Sequence, residues 1–319
     1  MNKPYVIGID VGGTNTVAGI VNKRGEIIAS GSIETSKHAQ IEDYMDELTA
    51  LIHTLVEESE TKNQIKGIGA GAPCSNYFTG CIEAAANLHW KGEIPFAKML
   101  EERTHIPVTL TNDANAAAIG EMMYGAARGM KDFIVITLGT GVGSGIVANG
   151  QLIYGHDGFA GELGHVTIRR ENGRACGCGK SGCLETYTSA TGVAHTAHEF
   201  LETKTDDSSL RNIPIEKMTS KDVFDAAVAG DKIAKEIFEF TGAILGEAFA
   251  DFVTFSSPEA IILYGGLSKA GDLIMKPIRE SMEKNMVSIY RDKVKLLFSE
   301  LKESDAAVLG ASALGWETK

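Results

Sequence analysis

Two copies of one pattern, 126 residues apart, constrain this 319-residue chain more than any other feature. Gly13-Thr14 recurs as Gly139-Thr140, and Gly19-Ile20-Val21 recurs as Gly145-Ile146-Val147, at one offset and without a gap. In the first copy the apolar run 5–9 leads into DVGGTNT (10–16), and 17–21 and 27–33 read as strands around the turn at 22–25. In the second, 133–138 reads as a strand and 139–144 as a loop, followed by a hairpin turning at Asn149-Gly150. A strand feeding a Gly-Gly turn lets backbone N–H groups reach phosphate oxygens with no Cβ in the way. Thr14 and Thr16 add hydroxyl donors, and Asp10 is suited to hold a metal ion through water. One such turn is unspecific. Two of them predict a duplicated α/β architecture, each half offering a phosphate-gripping loop to a shared cleft that holds a nucleoside triphosphate from both sides.

Other phosphate-binding patterns do not fit. Glycines at 139, 141, 143 and 145 alternate, which is not the spacing of a dinucleotide fingerprint. Gly179-Lys180-Ser181 resembles the end of a Walker A loop, but Gly173 stands one residue too far upstream and follows no strand. A formal charge of −12 opposes general nucleic-acid binding, which needs clustered Lys and Arg. Residues 1–4 run straight into a strand, so no signal peptide is expected. No apolar run reaches the roughly 20 residues of a membrane span. Cys74 and Cys81 are too isolated for a disulfide framework, which points to a reduced, cytoplasmic setting.

The stretch 161–185 carries a second constraint. Cys176, Cys178 and Cys183 fall close together with His165 upstream, a Cys₃His set that makes a closed tetrahedral site for structural zinc. Such a metal does no chemistry and pins a loop. Glu162 and Glu185 flank the set. An imidazole has two nitrogens, so His165 can bind zinc through one and face a ligand with the other.

The rest of the chain supplies lobes around these loops. Helices are expected at 40–58, 114–124, 186–201, 222–255 (broken near Gly230-Asp231), 273–285 and 305–314, the last crossing back to the first lobe. Further strands are expected at 65–70, 107–111, 260–264 and 294–299, and a polar loop at 204–220. Gly265-Gly266 forms a third Gly turn, where a flat base or ribose can lie against backbone. Asn87 stands in a loop, where it reads either as a turn former or as a group for a hydroxyl-rich ligand. Asp113 opens a helix at a strand end; it reads as an N-cap and, compatibly, as a base that takes a proton from an attacking hydroxyl. Asn115 and Glu121 on that helix read as structural.

Taken together these residues resemble the ROK family, bacterial sugar kinases and related repressors on the actin/hexokinase-like fold. The resemblance spans essentially the whole chain. It rests on DVGGT (10–14), NDANAAAIGE (112–121), LGTGVGSG (138–145), GELGH (161–165) and CGCGKSGCLE (176–185). It implies an α/β, two-lobed, duplicated (ribonuclease H-like) fold with a central active-site cleft. The lobes are expected at 1–113 plus 302–319 (small) and 114–301 (large, with the zinc loop 161–185). It further implies an ATP-dependent glucokinase with Asp113 as general base, and Asn87, Asn112, Glu162, His165 and Glu185 on ring hydroxyls. Asp10, Gly12, Gly13, Thr14 and Gly139, Thr140, Gly141 would serve Mg²⁺ and the ATP phosphates, and Gly265-Gly266 the adenosine. Zn²⁺ would sit on His165, Cys176, Cys178 and Cys183, in agreement with the reading of the residues. The family implies a homodimer, with no nucleic-acid or membrane partner. Kinases for N-acetylmannosamine, N-acetylglucosamine or fructose are the near alternatives, and a sugar-responsive repressor the distant one. Two positions depart from the common pattern: Asn15 stands where many members carry Lys after the first Gly loop, and Cys74 where many carry Gly after Gly71-Ala72-Pro73.

Overall fold

The computed structural model describes residues 3–83 and 88–318. β1 (Tyr5–Val11) is apolar and buried through Val6, Ile7, Ile9 and Val11, which makes it a central strand. It turns into β2 (Asn15–Asn22) and then β3 (Ile27–Glu34), both pairings antiparallel. α1 (Ile41–Glu58) buries Tyr44, Met45, Leu48, Ile52 and Leu55 against this sheet, one face at helical spacing, and returns the chain to β4 (Ile65–Gly71), parallel to β1.

Residues 75–104 hold elements that the sequence reading left out. β5 (Ser75–Asn76), β6 (Cys81–Glu83) and β7 (Glu93–Ile94) make a small antiparallel sheet. α2 (Phe96–Thr104) ends at His105, whose φ of 56° closes the helix in the left-handed region. Strands of two or three residues carry too little periodicity to stand out in a sequence. β8 (Val108–Thr111) then joins β4 in parallel, and α3 (Asp113–Tyr124) follows.

The second sheet repeats the first. β9 (Phe133–Leu138), β10 (Val142–Ala148) and the short β11 (Gln151–Leu152) form the antiparallel run. After α4 (Glu185–Thr188), α5 (Ala190–Thr203), α6 (Ser220–Val228) and α7 (Lys232–Ser256) comes β12 (Ala260–Tyr264), parallel to β9. α8 (Asp272–Asn285) and β13 (Lys295–Phe298), parallel to β12, complete it before α9 (Glu303–Gly315). The strand orders are β3-β2-β1-β4-β8 and β11-β10-β9-β12-β13, one topology used twice. The expected duplicated α/β architecture is present.

Detail departs from the expectation in three places. The first turn encloses residues 12–15 between the paired Val11 and Thr16, whereas Leu138 pairs with Val142 across 139–141, so the second turn is shorter than the ungapped repeat implies. The helix expected at 186–201 is two: Ser189 caps α5, its side chain accepting from the Gly192 N–H, after α4 has stopped. Two short 3-10 turns and the start of α6, closed by a Thr219–Asp222 capping box, occupy the expected loop 204–220.

Glycines bring α3 and α9 close to both sheets. A Cβ on Gly8 or Gly69 would meet a carbonyl oxygen of α9 at 2.0 or 1.9 Å, so β1 and β4 take that helix only because they lack side chains there. Gly143 and Gly145 of β10 do the same for Ala114 and Ala118 of α3, and Gly120 of α3 lies against Gly310 of α9. The four alternating glycines thus divide their work: 139 and 141 shape a loop, while 143 and 145 admit a helix.

Candidate functional site

Parallel strands of both sheets direct their C-terminal ends into one cleft, the usual place for ligands in open α/β sheets. A cavity of about 370 Å³ there is walled by residues that follow β4 (Pro73, Cys74), β8 (Asn112, Asp113), β9 (Gly139, Gly141) and β12 (Gly265), closed by Glu162, His165 and Glu185. A second cavity of about 200 Å³ adjoins it, lined by Asp10, Gly71, Asp113, Thr137 and Tyr264. Asp113 borders both.

The local chemistry of Asp113 follows from its position. Asn112, not Asp113, is the N-cap of α3: its side chain accepts the Asn115 N–H at 2.8 Å, which corrects the capping role read for Asp113. The Asp113 carboxylate is thereby free of backbone duty. It lies beside Gly71, where a Cβ would come within 3.8 Å of its Oδ1. Its carboxyl is pushed up to about 7, first by desolvation within the cleft walls and then by the charge of Asp10. The residue nonetheless stands exposed at the cleft, where a ligand hydroxyl can reach it. Burial raises Asp10 as well.

The loop 161–185 forms the opposite wall. The His165, Cys176, Cys178 and Cys183 ligand atoms all lie within 4.8 Å of one another. Cys178 and Cys183 Sγ are 3.6 Å apart, far beyond a disulfide, and His165 Nδ1 is 3.7 Å from Cys176 Sγ. These separations are those of the corners of a tetrahedron with metal–ligand bonds of about 2.0–2.3 Å. Burial pushes the Cys176 thiol up to about 12 and raises Cys183, while a backbone hydrogen bond from Lys180 lowers the exposed Cys178. Without a metal two of the three sulfurs are held as thiols; three cysteines and an imidazole gathered at this spacing fit Zn²⁺, whose charge would hold the sulfurs as thiolates. The His165 Nδ1 faces Cys176 Sγ and, at 3.8 Å, Glu185 Oε1, while Nε2 lies 3.9 Å from Glu162.

Two side chains tie this loop to its surroundings. Glu185 Oε2 accepts the Val142 N–H at 3.1 Å, joining the loop to the second Gly turn, and Gly141 leaves the space it occupies. Arg174 is buried, pairs through Nε and Nη2 with Glu199 at 3.0 and 2.6 Å, donates to the Thr186 and Gly192 carbonyls, and stacks on Tyr187. α5, so held, supports the Gly turn through Ala190 N–H to Gly139 O and Thr191 Oγ1 to Thr140 O.

Of the residues singled out from the sequence, Asn112, Asp113, Gly139, Gly141, Glu162, His165, Glu185 and Gly265 share the larger cavity, and Asp10 the smaller. Thr140 faces a third, outer cavity with Gly141 and Glu185. Gly12, Gly13 and Thr14 stand off these walls in the β1–β2 turn, and Gly266 lies past the wall at the start of a 3-10 turn. Asn87 lies outside the described residues. Gly265 has φ +103°, and a Cβ there would strike Leu138 O at 2.6 Å; Gly139 and Gly266 border open space. Thr137, Ser144 and Tyr264 also line the cleft, and nothing in their local sequence marked them. Cys74, noted only as a departure, is a wall residue at φ 50°, where glycine is at ease, and burial with Glu162 and Asp113 nearby raises its thiol.

Comparison with known proteins adds to this geometry. A profile of the ROK family matches residues 6–317. The glucokinase of Halalkalibacterium halodurans is 40% identical over 328 residues, covering 100% of this chain and 96% of that protein. The glucokinase of Thermotoga maritima is 34% identical over 318 residues, covering 98% of each. Among solved structures, a ROK family glucokinase from Streptomyces griseus in complex with glucose and AMPPNP aligns with a TM-score of 0.79 at 30% identity, covering 98% of this chain and 99% of that one.

Proposed function

This chain belongs to the ROK family, and from that premise we propose that it is a glucokinase, transferring the γ-phosphoryl group of ATP to the 6-hydroxyl of glucose. One observation carries the reading: Asp113 borders both a cavity large enough for a hexose, in which Asn112, Glu162, His165 and Glu185 converge, and a smaller one that leads to Asp10. A base at that junction meets an attacking hydroxyl from one side and a phosphoryl group from the other.

Asn112, Glu162, His165 and Glu185 (with Asn87 by resemblance) hold the ring hydroxyls, acidic groups and an imidazole being able to accept and donate at several oxygens. The Gly12 and Gly139 N–H groups close their own turns, to Asn15 O and Gly141 O, so the N–H groups of 13–14 and 140–141 hold the phosphates, and Gly265-Gly266 the adenosine. Mg²⁺, when bound near Asp10, neutralises charge on the phosphates. The 6-oxygen attacks the γ-phosphorus, Asp113 accepts the hydroxyl proton, the bond to the bridging oxygen breaks, and ADP leaves. Segments 1–113 plus 302–319 and 114–301 serve as the two lobes, and their approach excludes water from the transfer. Zn²⁺ on His165, Cys176, Cys178 and Cys183 holds the sugar-facing wall and takes no part in the transfer.

The test is ADP release with ATP and Mg²⁺ across glucose, N-acetylglucosamine, N-acetylmannosamine, mannose and fructose. Glucose is expected to give the highest kcat/KM. A clear preference for an N-acetyl sugar would keep the mechanism and overturn the substrate, and silence on every sugar would overturn the kinase reading.

A further inference from the structure

The walls of the sugar cavity come from opposite sheets, yet they are fastened together away from the cavity itself. Between β11 and Glu162 the chain makes a tight loop, with Gly155, Gly158 and Gly161 all at positive φ (77°, 91° and 93°). This loop crosses to the small β5–β7 sheet. There Asn76, 4% exposed, donates its Nδ2 hydrogen to Asp157 O at 2.8 Å, while its Oδ1 accepts the Phe78 N–H at 2.9 Å. The Tyr77 and Tyr154 rings stack beside it at 3.9 Å and 15° between planes, with the Phe78 edge packed against both. Gly158 permits the approach, since a Cβ there would lie 2.5 Å from Asn76 Oδ1. The far end of the loop is held inside its own sheet, where Ser144 Oγ donates to Gly161 O.

We propose that Asn76 and the Tyr77–Tyr154 stack act as an interlobe clasp that positions the Glu162 loop. Glu162 and His165 then face Asn112 and Asp113 before sugar arrives. The proposal rests on the sugar-kinase reading and goes beyond it, because none of the clasp residues lines the cavity. The physical ground is preorganisation. Apparent affinity falls by the fraction of molecules whose site is assembled, so releasing the clasp weakens sugar binding with the contacts to sugar unchanged. Asn76 and the two tyrosines bond and stack with neither the 12–14 turn nor the 139–141 turn, so ATP binding is spared.

The experiment compares wild-type protein with Asn76→Ala, Tyr77→Ala and Tyr77→Phe, measuring glucose binding by calorimetry without nucleotide, and KM for glucose and for ATP. Expected are a glucose Kd and KM raised by about tenfold or more in the two alanine variants, an ATP KM within about twofold of wild type, and near wild-type behaviour for Tyr77→Phe, which keeps the ring. Gly158→Ala, which forces the loop off Asn76 by a different route, should reproduce the glucose effect. Wild-type glucose affinity in folded Asn76→Ala and Tyr77→Ala overturns the clasp and leaves the kinase reading intact. Equal rises in both KM values, or a Tyr77→Phe as weak as Tyr77→Ala, also overturn it by marking a general loosening. Wild-type protein that neither binds nor phosphorylates any sugar overturns the kinase reading, and the clasp with it.

Discussion

Asp113 shows how much one residue's role depends on its neighbour. Asn112 takes the capping hydrogen bond, and the carboxylate beside it is left to titrate near neutrality under desolvation and the charge of Asp10. A protonated carboxyl accepts no proton, so kcat/KM for sugar should fall as pH drops through about 7, with a plateau above it. Asp113→Asn should lower kcat by roughly 10²–10⁴-fold while glucose Kd stays close to wild type. The same substitution has a second, opposite consequence. A carboxyl raised above its unfolded value of 3.8 disfavours the fold once ionised, and that cost grows as pH rises toward about 7. Asp113→Asn should therefore raise Tm at pH 8 and raise it less at pH 5.5, as scanning calorimetry would read. A Tm gain equal at both pH values would mean that the carboxyl titrates as an ordinary exposed one. Asp113 was legible from sequence because a strand end, a helix start and a Gly loop converge on it; Thr137 and Tyr264 were not, because their strands give no local sign of which end meets the other sheet.

At the scale of elements, the loop 161–185 gathers at one point a Cys₃His set that could hold a metal and is fastened by Arg174 at another. The four ligands were readable because their types and spacing are themselves the chemistry. Arg174 was not, because its partners Glu199, Thr196 and Tyr187 come together only when α5 folds back over the loop. If the metal holds the sugar-facing wall, removing it with a strong chelator should weaken glucose binding by about tenfold or more, since ligand order follows metal order. Far-ultraviolet circular dichroism should change little, because both five-stranded sheets lie outside the loop, although Leu184 anchors it in the larger core. Chelation that leaves glucose Kd untouched would reduce the site to a remote staple. Gly265 belongs to the same scale: its positive φ and its contact with Leu138 O make it a requirement of the β12 turn before any ligand is considered.

Across the whole molecule, two identical topologies meet through α3 and α9, which touch where Gly120 faces Gly310. A Cβ on Gly310 would lie 2.8 Å from Ala116 O, so Gly310→Val must part the helices and should cost about 1–3 kcal/mol in urea unfolding, as overpacking does. An unchanged unfolding midpoint would show the crossing to be slack. This crossing, the glycine-lined seats of α9 on β1 and β4, and the clasp at Asn76 were invisible in the chain, because glycine and alanine patterns do not say which helix they admit. The sequence by itself determined the duplication, the α/β class, the Gly loops, Asp113 and the Cys₃His set. Each of these is written locally, as a spacing or a residue type whose chemistry needs no distant partner. Tertiary structure alone decided that Asn112 rather than Asp113 caps α3, that strand pairing encloses one residue fewer in the second turn than in the first, and which loops from opposite sheets share a wall. Those outcomes depend on packing between segments far apart in the chain, where close approach is limited by volume, and a local pattern carries no record of the partner that fills it.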